Sequence, residues 1–115
     1  MALELFTKKG GRSSNPKVTI ARAGYIGINS ACMGKYFKGK SFVQLYWDKE
    51  KQIIGIKSVD KEGEGVFTLT NVGERRPGSI AGRSFLKYYE IDFSKSRSFY
   101  PDWNEKEDML IIKIK

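Results

Sequence analysis

The sequence predicts an α+β domain that is mainly β, with two short helices and a small barrel-like core. Three observations support this prediction. Apolar and β-branched residues alternate in short runs, charged turns separate these runs, and the second half of the chain repeats the pattern of the first. Alternation with a period of two is typical of strands that have one buried face. The chain has 115 residues, which is the length of one domain.

The first half begins with a polar stretch and continues as strands around one helix. Residues 1–16, which include two glycines and two serines in succession, predict a flexible basic N-terminal arm. Asn29 can cap the helix and Gly39 can end it. The charged segment Asp48–Lys51 predicts a hairpin turn. The predicted elements are strand residues Val18, Ile20, Tyr25, Ile26 and Ile28, a helix at Ser30–Phe37, and strands at Phe42–Trp47 and Ile53–Ile56.

The second half follows the same plan with longer connections. A turn at Lys61–Gly65 precedes its first strand, and Asn71–Gly78 is a predicted loop. The charged segment Asn104–Asp108 predicts another hairpin turn. The predicted elements are a strand at Val66–Thr70, a helix at Gly82–Tyr89, and strands at Ser98–Trp103 and Met109–Ile114.

The two halves share a spacing as well as an order. Ile28 and Ile80 each lie seven residues before a Lys-Tyr pair, and Trp47 and Trp103 each precede a charged turn and an Ile-rich strand. This self-similarity predicts two related β-α-β-β units, at about 17–60 and 61–115, that share one core about a pseudo-twofold axis. The alternative is chance similarity between amphipathic segments.

The composition disfavours most catalytic chemistry. The chain has no histidine and one cysteine, Cys32. It therefore lacks the commonest general base and metal ligand, and it can form no internal disulfide. The sequence predicts a cytoplasmic protein that is not an enzyme, needs no cofactor and has no secretory signal or membrane span. Cys32 is better explained as a small buried residue than as a nucleophile.

The positive charge is concentrated at one end of the chain. The net charge is +8, and the first 45 residues contain eight basic residues against Glu4 alone. An excess of this kind favours a polyanionic partner, because binding to phosphates releases counterions. The alternative is a basic tail that only maintains solubility. The candidate nucleic-acid-binding residues are Lys8, Lys9, Arg12, Lys17, Arg22, Lys35, Lys38, Lys40, Arg75 and Arg76.

Part of the first half resembles a known DNA-binding family. The segments Gly24–Asn29, Val43–Asp48 and Ile53–Ile56, with a short helix and Gly39 between the first two, resemble the AbrB-type swapped-hairpin family. The resemblance implies a small barrel built from two interleaved units, with basic loops that contact the DNA backbone. That family normally uses two chains. Two positions depart from its pattern: Asn29 replaces a usual proline, and Lys40 replaces a usual acidic residue. The whole chain also resembles a bacterial family of similar length that has no assigned activity.

Three other patterns have simpler explanations than catalysis. Gly34–Ser41 fits the nucleotide-loop pattern G-x-x-x-x-G-K-[ST], but it follows a predicted helix and precedes a strand, the reverse of a phosphate-binding loop. Five acidic residues could form an acid–base or magnesium group, yet charged surface turns explain them. Aromatic residues interleaved with the basic ones suit single-stranded nucleic acid, or else form the core. The acidic set is Asp48, Asp102, Glu105, Glu107 and Asp108, and the aromatic set is Tyr25, Tyr36, Phe37, Phe42 and Tyr46.

Together these observations predict a nucleic-acid-binding protein, with DNA favoured over RNA and transcriptional regulation as the favoured role. The alternative is a protein-interaction or structural module without a nucleic-acid role. No membrane partner is expected, and a homo-oligomer is left open.

Overall fold

The computed structural model describes residues 15–71 and 77–114 of the chain. They form nine strands and two short helices. In chain order these are β1 Val18–Ile20, β2 Tyr25–Ile28, α1 Ser30–Tyr36, β3 Phe42–Asp48, β4 Ile53–Val59, β5 Val66–Asn71, β6 Gly78–Ala81, α2 Arg83–Tyr88, β7 Arg97–Phe99, β8 Asp102–Asn104 and β9 Met109–Lys113.

The nine strands form one antiparallel sheet that curls into a half-barrel. Its strand order is β7-β1-β2-β6-β5-β3-β4-β9-β8. The two strands at the ends of this order, β7 and β8, are separated in the chain only by Tyr100 and Pro101. Their facing ends are therefore at most about 11 Å apart, because consecutive Cα atoms are about 3.8 Å apart. The curl brings the two edges of the sheet to the same place.

The two halves of the chain are joined within the sheet. Strand β2 pairs with β6 from Tyr25 opposite Ala81 to Ile28 opposite Gly78. Strand β4 pairs with β9 from Ile53 opposite Lys113 through Ile56. Two further connections are between β3 and β5 and between β1 and β7. Residues far apart in sequence therefore supply neighbouring strands.

One hydrophobic cluster forms the core between the curled sheet and the two helices. Alternating aliphatic residues of most strands enter it, and each helix adds buried side chains, as the two-residue period predicts. Among the residues that the structure describes, no polar or charged side chain is buried. The cluster contains Val18, Ile20, Ile26, Ile28, Cys32, Met33, Phe37, Val43, Ile54, Ile56, Leu69, Ile80, Phe85, Leu86, Ile91, Leu110 and Ile112.

Most predicted elements are confirmed. The protein is mainly β with two short helices, and charged turns close the β3–β4 and β8–β9 hairpins. The single strand predicted at Ser98–Trp103 is wrong, because β7 and β8 are separate strands. Pro101 lies between them and has no N–H to donate to a sheet. The predicted loop at Asn71–Gly78 is too long at both ends, since Asn71 belongs to β5 and Gly78 to β6.

The predicted arm lies outside the described residues as far as Ser14, and only Asn15 and Pro16 of it are described. Within the described part of the chain, neither helix has the length and apolar character needed to cross a membrane.

Candidate functional site

Asn29 ties the beginning of the described chain to helix α1. Its Oδ1 accepts hydrogen bonds from the backbone N–H groups of Cys32 and Lys17, each at 2.9 Å. Its Nδ2 donates to the carbonyl oxygen of Asn15, also at 2.9 Å. The bond to Cys32 caps the helix, because it satisfies an N–H that has no partner within the helix. The attachment point of residues 1–14 therefore lies beside the start of α1.

The other end of α1 carries three exposed lysines. Lys35 lies in the last turn of the helix, and Lys38 and Lys40 follow it. Lys35 Nζ lies 5.4 Å from the centre of the Tyr36 ring, within reach of a weak cation–π interaction. Lys40 Nζ lies 3.7 Å from a carboxylate oxygen of Asp60.

That Lys40–Asp60 contact is the only ion pair within 4.0 Å between side chains in residues 15–71 and 77–114. Both side chains are exposed, so the pair contributes little to stability. No carboxylate in the described part of the chain forms an ion pair with Lys17, Lys35 or Lys38.

The structure separates Arg22 from this group. Arg22 follows β1, whereas Lys17 precedes it, so the two residues lie at opposite ends of the strand. The backbone N–H of Arg22 donates to Ser96 Oγ at 3.1 Å. Arg22 also lines a shallow cavity of about 420 Å³ beside the end of α2. The remaining predicted contacts, at Lys8, Lys9, Arg12, Arg75 and Arg76, lie outside the described residues.

The nucleotide-loop pattern lies where the sequence predicted, between a helix and a strand. Gly34, Lys35 and Tyr36 belong to α1, and Phe37 is buried in the core. The backbone N–H of Lys40 donates to the carbonyl oxygen of Phe37 at 3.0 Å. The segment closes a helix and enters β3, whereas a phosphate-binding loop leaves a strand and opens a helix.

Cys32 is buried on α1, and the absence of water around it raises the pKa of its thiol to about 12. It is therefore protonated at neutral pH and a poor nucleophile. The acidic residues have structural or surface roles: Asp48, for example, accepts a hydrogen bond from the Lys51 N–H at 3.1 Å within its turn. Within the described ranges, no three His, Cys, Asp or Glu residues are arranged to hold a metal ion.

The predicted aromatic set divides between core and surface. Phe37 is buried, Tyr36 and Phe42 are half-buried, and Tyr25 and Tyr46 are exposed. Tyr36 stacks on Trp103, with ring centres 4.9 Å apart and ring planes 12° apart.

Sequence reasoning missed a second aromatic region at the end of α2. Tyr88 is 79% exposed there, and Tyr89 packs between the rings of Tyr88, Phe85 and Trp47. A cleft of about 820 Å³ opens beside these rings, between the β3–β4 turn and the segment that follows α2. The consecutive tyrosines were the only signal in the sequence, and they indicate neither burial nor neighbours.

No family model matches this chain, and no curated protein or solved structure shows significant similarity to it.

Proposed function

We propose that the protein binds nucleic acid, that duplex DNA is its favoured partner, and that it acts as a transcriptional regulator rather than an enzyme. One observation supports this most strongly. Lys17, Lys35 and Lys38 lie at the two ends of α1 with no ion-pair partner among the described residues. The hydrogen bond from Asn29 holds Asn15, to which the basic N-terminal segment is attached, beside the start of the helix.

The dimensions of α1 suit a phosphate backbone. The helix has seven residues, so it is about 10 Å long. Along one DNA strand this length corresponds to about three nucleotides. Lys17 beside the start of the helix and Lys35 and Lys38 near its end can therefore approach phosphates of one strand that are about three nucleotides apart. Lys8, Lys9, Arg12, Arg75 and Arg76 remain predicted contacts in this proposal, and Arg22 would need a separate phosphate.

The proposal includes the two related β-α-β-β units. The matching hairpins support it. In β3–β4, Trp47 lies opposite Ile54, and in β8–β9, Trp103 lies opposite Leu110. Both turns contain four residues, and both end on a residue with positive φ, 55° at Gln52 and 54° at Asp108.

The residues before these turns also have matching roles. Asp48 Oδ1 accepts from the N–H three residues later, and Asn104 Oδ1 does the same, each at 3.1 Å. The two hairpins therefore share their turn length, this hydrogen bond and a positive φ at the last turn residue, as two copies of one unit would.

Packing across the halves supports a shared core. Tyr36 of the first half stacks on Trp103 of the second. Tyr89 of the second half lies 6.4 Å from Trp47 of the first, between ring centres. Each helix end therefore contacts the tryptophan of the other half. Contacts of this kind support two interleaved units within one chain, which is what we propose from the AbrB-type resemblance.

Titration of the protein with duplex DNA at several salt concentrations tests the function. Replacing Lys35 and Lys38 with alanine should weaken binding and reduce the slope of log K against log salt by about 1.8, because each lost phosphate contact contributes about 0.9. The matched control replaces Lys51, which lies in the β3–β4 turn, and Lys95, which lies between α2 and β7, because neither residue belongs to the α1 surface. A control that weakens binding equally would exclude the α1 surface.

Deletion of residues 1–14 tests the N-terminal contribution separately. This variant keeps Asn15 and its hydrogen bond to Asn29. We expect weaker duplex binding with a shallower salt slope. Unchanged affinity and slope would remove Lys8, Lys9 and Arg12 from the proposed interface.

The exposed tyrosines favour protein interaction as the second candidate. Tyr88 and Tyr100 are 79% and 71% exposed, and tyrosine is enriched at protein interfaces. Absence of duplex binding even at low salt would favour this alternative, since electrostatic binding is strongest there.

A further inference from the structure

The two tryptophans that occupy corresponding positions have different surroundings. Trp103 is covered by Tyr36, which lies flat against it at 4.9 Å and 12°. In the sequence repeat, the residue that corresponds to Tyr36 is Tyr88, the second residue of the matching Lys-Tyr pair. Tyr88 is 79% exposed and forms its ring contact with Tyr89. No described ring therefore stacks flat on Trp47 as Tyr36 does on Trp103.

Trp47 is half-buried and borders the larger cleft. This cleft has a volume of about 820 Å³, and Trp47 lines it with Lys49 and Gln52 of the β3–β4 turn. Tyr88, Tyr89 and the segment Glu90–Asp92 line it as well. Tyr89 meets Trp47 at 6.4 Å with a tilt of 37°, which leaves the two rings splayed rather than stacked.

We propose that this cleft binds an unstacked base of single-stranded nucleic acid, which stacks on Trp47. This inference rests on the proposed nucleic-acid-binding function and adds a second surface to it. The Tyr36–Trp103 pair shows that the fold accepts a planar ring against a tryptophan in this position. A nucleobase is such a ring, and stacking on aromatic side chains is how single-stranded segments are commonly held.

The polar groups of the cleft suit a nucleotide better than a purely apolar ligand. Lys49 offers a cation for a phosphate on the side of the β3–β4 turn. Glu90 and Asp92 also line the cleft, and their carboxylates can accept hydrogen bonds from the amino groups of a base. Arg97 lines the cleft too and donates to the carbonyl oxygen of Asp92 at 3.2 Å. Lys49 and Arg97 are therefore the two cations of the cleft that could meet a phosphate.

The test follows the two indole N–H signals of the wild-type protein by ¹⁵N NMR. An eight-nucleotide single strand of deoxyadenosine serves as the probe, and Trp47→Phe and Trp103→Phe variants assign the two signals. We expect the Trp47 signal to shift on titration and the Trp103 signal to stay, because Tyr36 already covers that ring. Movement of both signals equally, or of neither, would overturn the proposal.

A matched pair of variants gives the affinity. Trp47→Leu should weaken single-strand binding roughly ten- to a hundredfold, the range for losing one stacked base, whereas Trp103→Leu should leave it unchanged. If either variant fails to fold, the wild-type NMR titration still decides.

Parallel titration with duplex DNA separates the two proposals. Duplex binding without a single-strand response at Trp47 overturns this inference and leaves the α1 interface standing. A single-strand response at Trp47 without duplex binding excludes the α1 interface and supports the cleft. If neither probe binds, both the α1 interface and the cleft are excluded.

Discussion

Replacement of Gly24 by alanine should destabilise the fold through a contact between its two halves. Gly24 lies in the β1–β2 turn with φ +97°, and its N–H donates to the Ala21 carbonyl oxygen at 2.8 Å. A Cβ at this position would lie 2.6 Å from the Cβ and 3.1 Å from the Cα of Arg83. Arg83 begins α2, so the helix holds its Cα in place, and the Cβ is bonded directly to that Cα. Neither atom can move away as the end of a flexible side chain could.

Two costs combine at this position. An L-residue with positive φ costs roughly 1–2 kcal/mol, and forcing an extra methyl group into a packed contact costs about 1–3 kcal/mol. Lower entropy of the unfolded chain returns about 0.4–1 kcal/mol. The net loss for Gly24→Ala is therefore about 1–4.6 kcal/mol, about 3 kcal/mol at mid-range, which is a large part of the stability of a small domain.

Gly39→Ala is the matched control, because Gly39 has φ +74° and nothing within 4 Å of its added Cβ. It should lose only about 1 kcal/mol, from backbone strain. Gly65, with φ +73° and the same open space, is a second control. Urea unfolding followed by circular dichroism measures the difference. We expect the Gly24→Ala midpoint to lie about 1 M below that of the controls, from typical urea slopes. Equal midpoints for the three variants would refute the close approach of the β1–β2 turn to α2.

Three further outcomes are expected. Burial raises the pKa of Cys32 from 9.0 to about 12, so its contribution to stability is present below pH 9 and is lost as pH rises from 9 towards 12. Urea midpoints between pH 8 and 10.5 should therefore fall more steeply for the wild type than for Cys32→Ala, and parallel curves would contradict this. Isothermal titration should detect no tight ATP or GTP binding by the wild type or by Lys40→Ala, since a mononucleotide gives the cleft beside Trp47 only one stacked base, worth about 1–3 kcal/mol. Tight binding that the substitution abolishes would show a working nucleotide loop. Fragments 17–60 and 61–115 should each be unfolded or homodimeric by circular dichroism and sedimentation, and a monomeric fragment that melts cooperatively would exclude a shared core.

Local features of the structure were predictable from the sequence. The two-residue alternation identified the strands that flank the charged turns, since a strand with one buried face shows that period whatever it pairs with. Asn29 and Gly39 marked the two ends of α1, because a cap and a positive-φ residue act on their own neighbours in the chain. For Cys32, the sequence favoured a buried residue over a nucleophile, because the chain has no histidine that could activate the thiol.

The arrangement of the candidate site was not predictable in the same way. Lys17 and Arg22 are close in sequence and were grouped together, yet β1 places them at opposite ends of a strand. The exposure of Tyr88 and the stacking of Tyr36 on Trp103 depend on contacts between the two halves.

The sequence by itself determined the strand-rich class, the hairpin turns, the limits of α1 and the concentration of charge in the first 45 residues. Only the tertiary structure decided the pairing of β2 with β6 and of β4 with β9, the break at Pro101, and the cleft beside Trp47. The physical reason is the separation in sequence between the residues that interact. Turns and caps are stabilised by residues within a few positions of one another. The pairing of β2 with β6 and of β4 with β9, and the ring contacts of the two tryptophans with tyrosines, join surfaces that the sequence separates by forty residues or more.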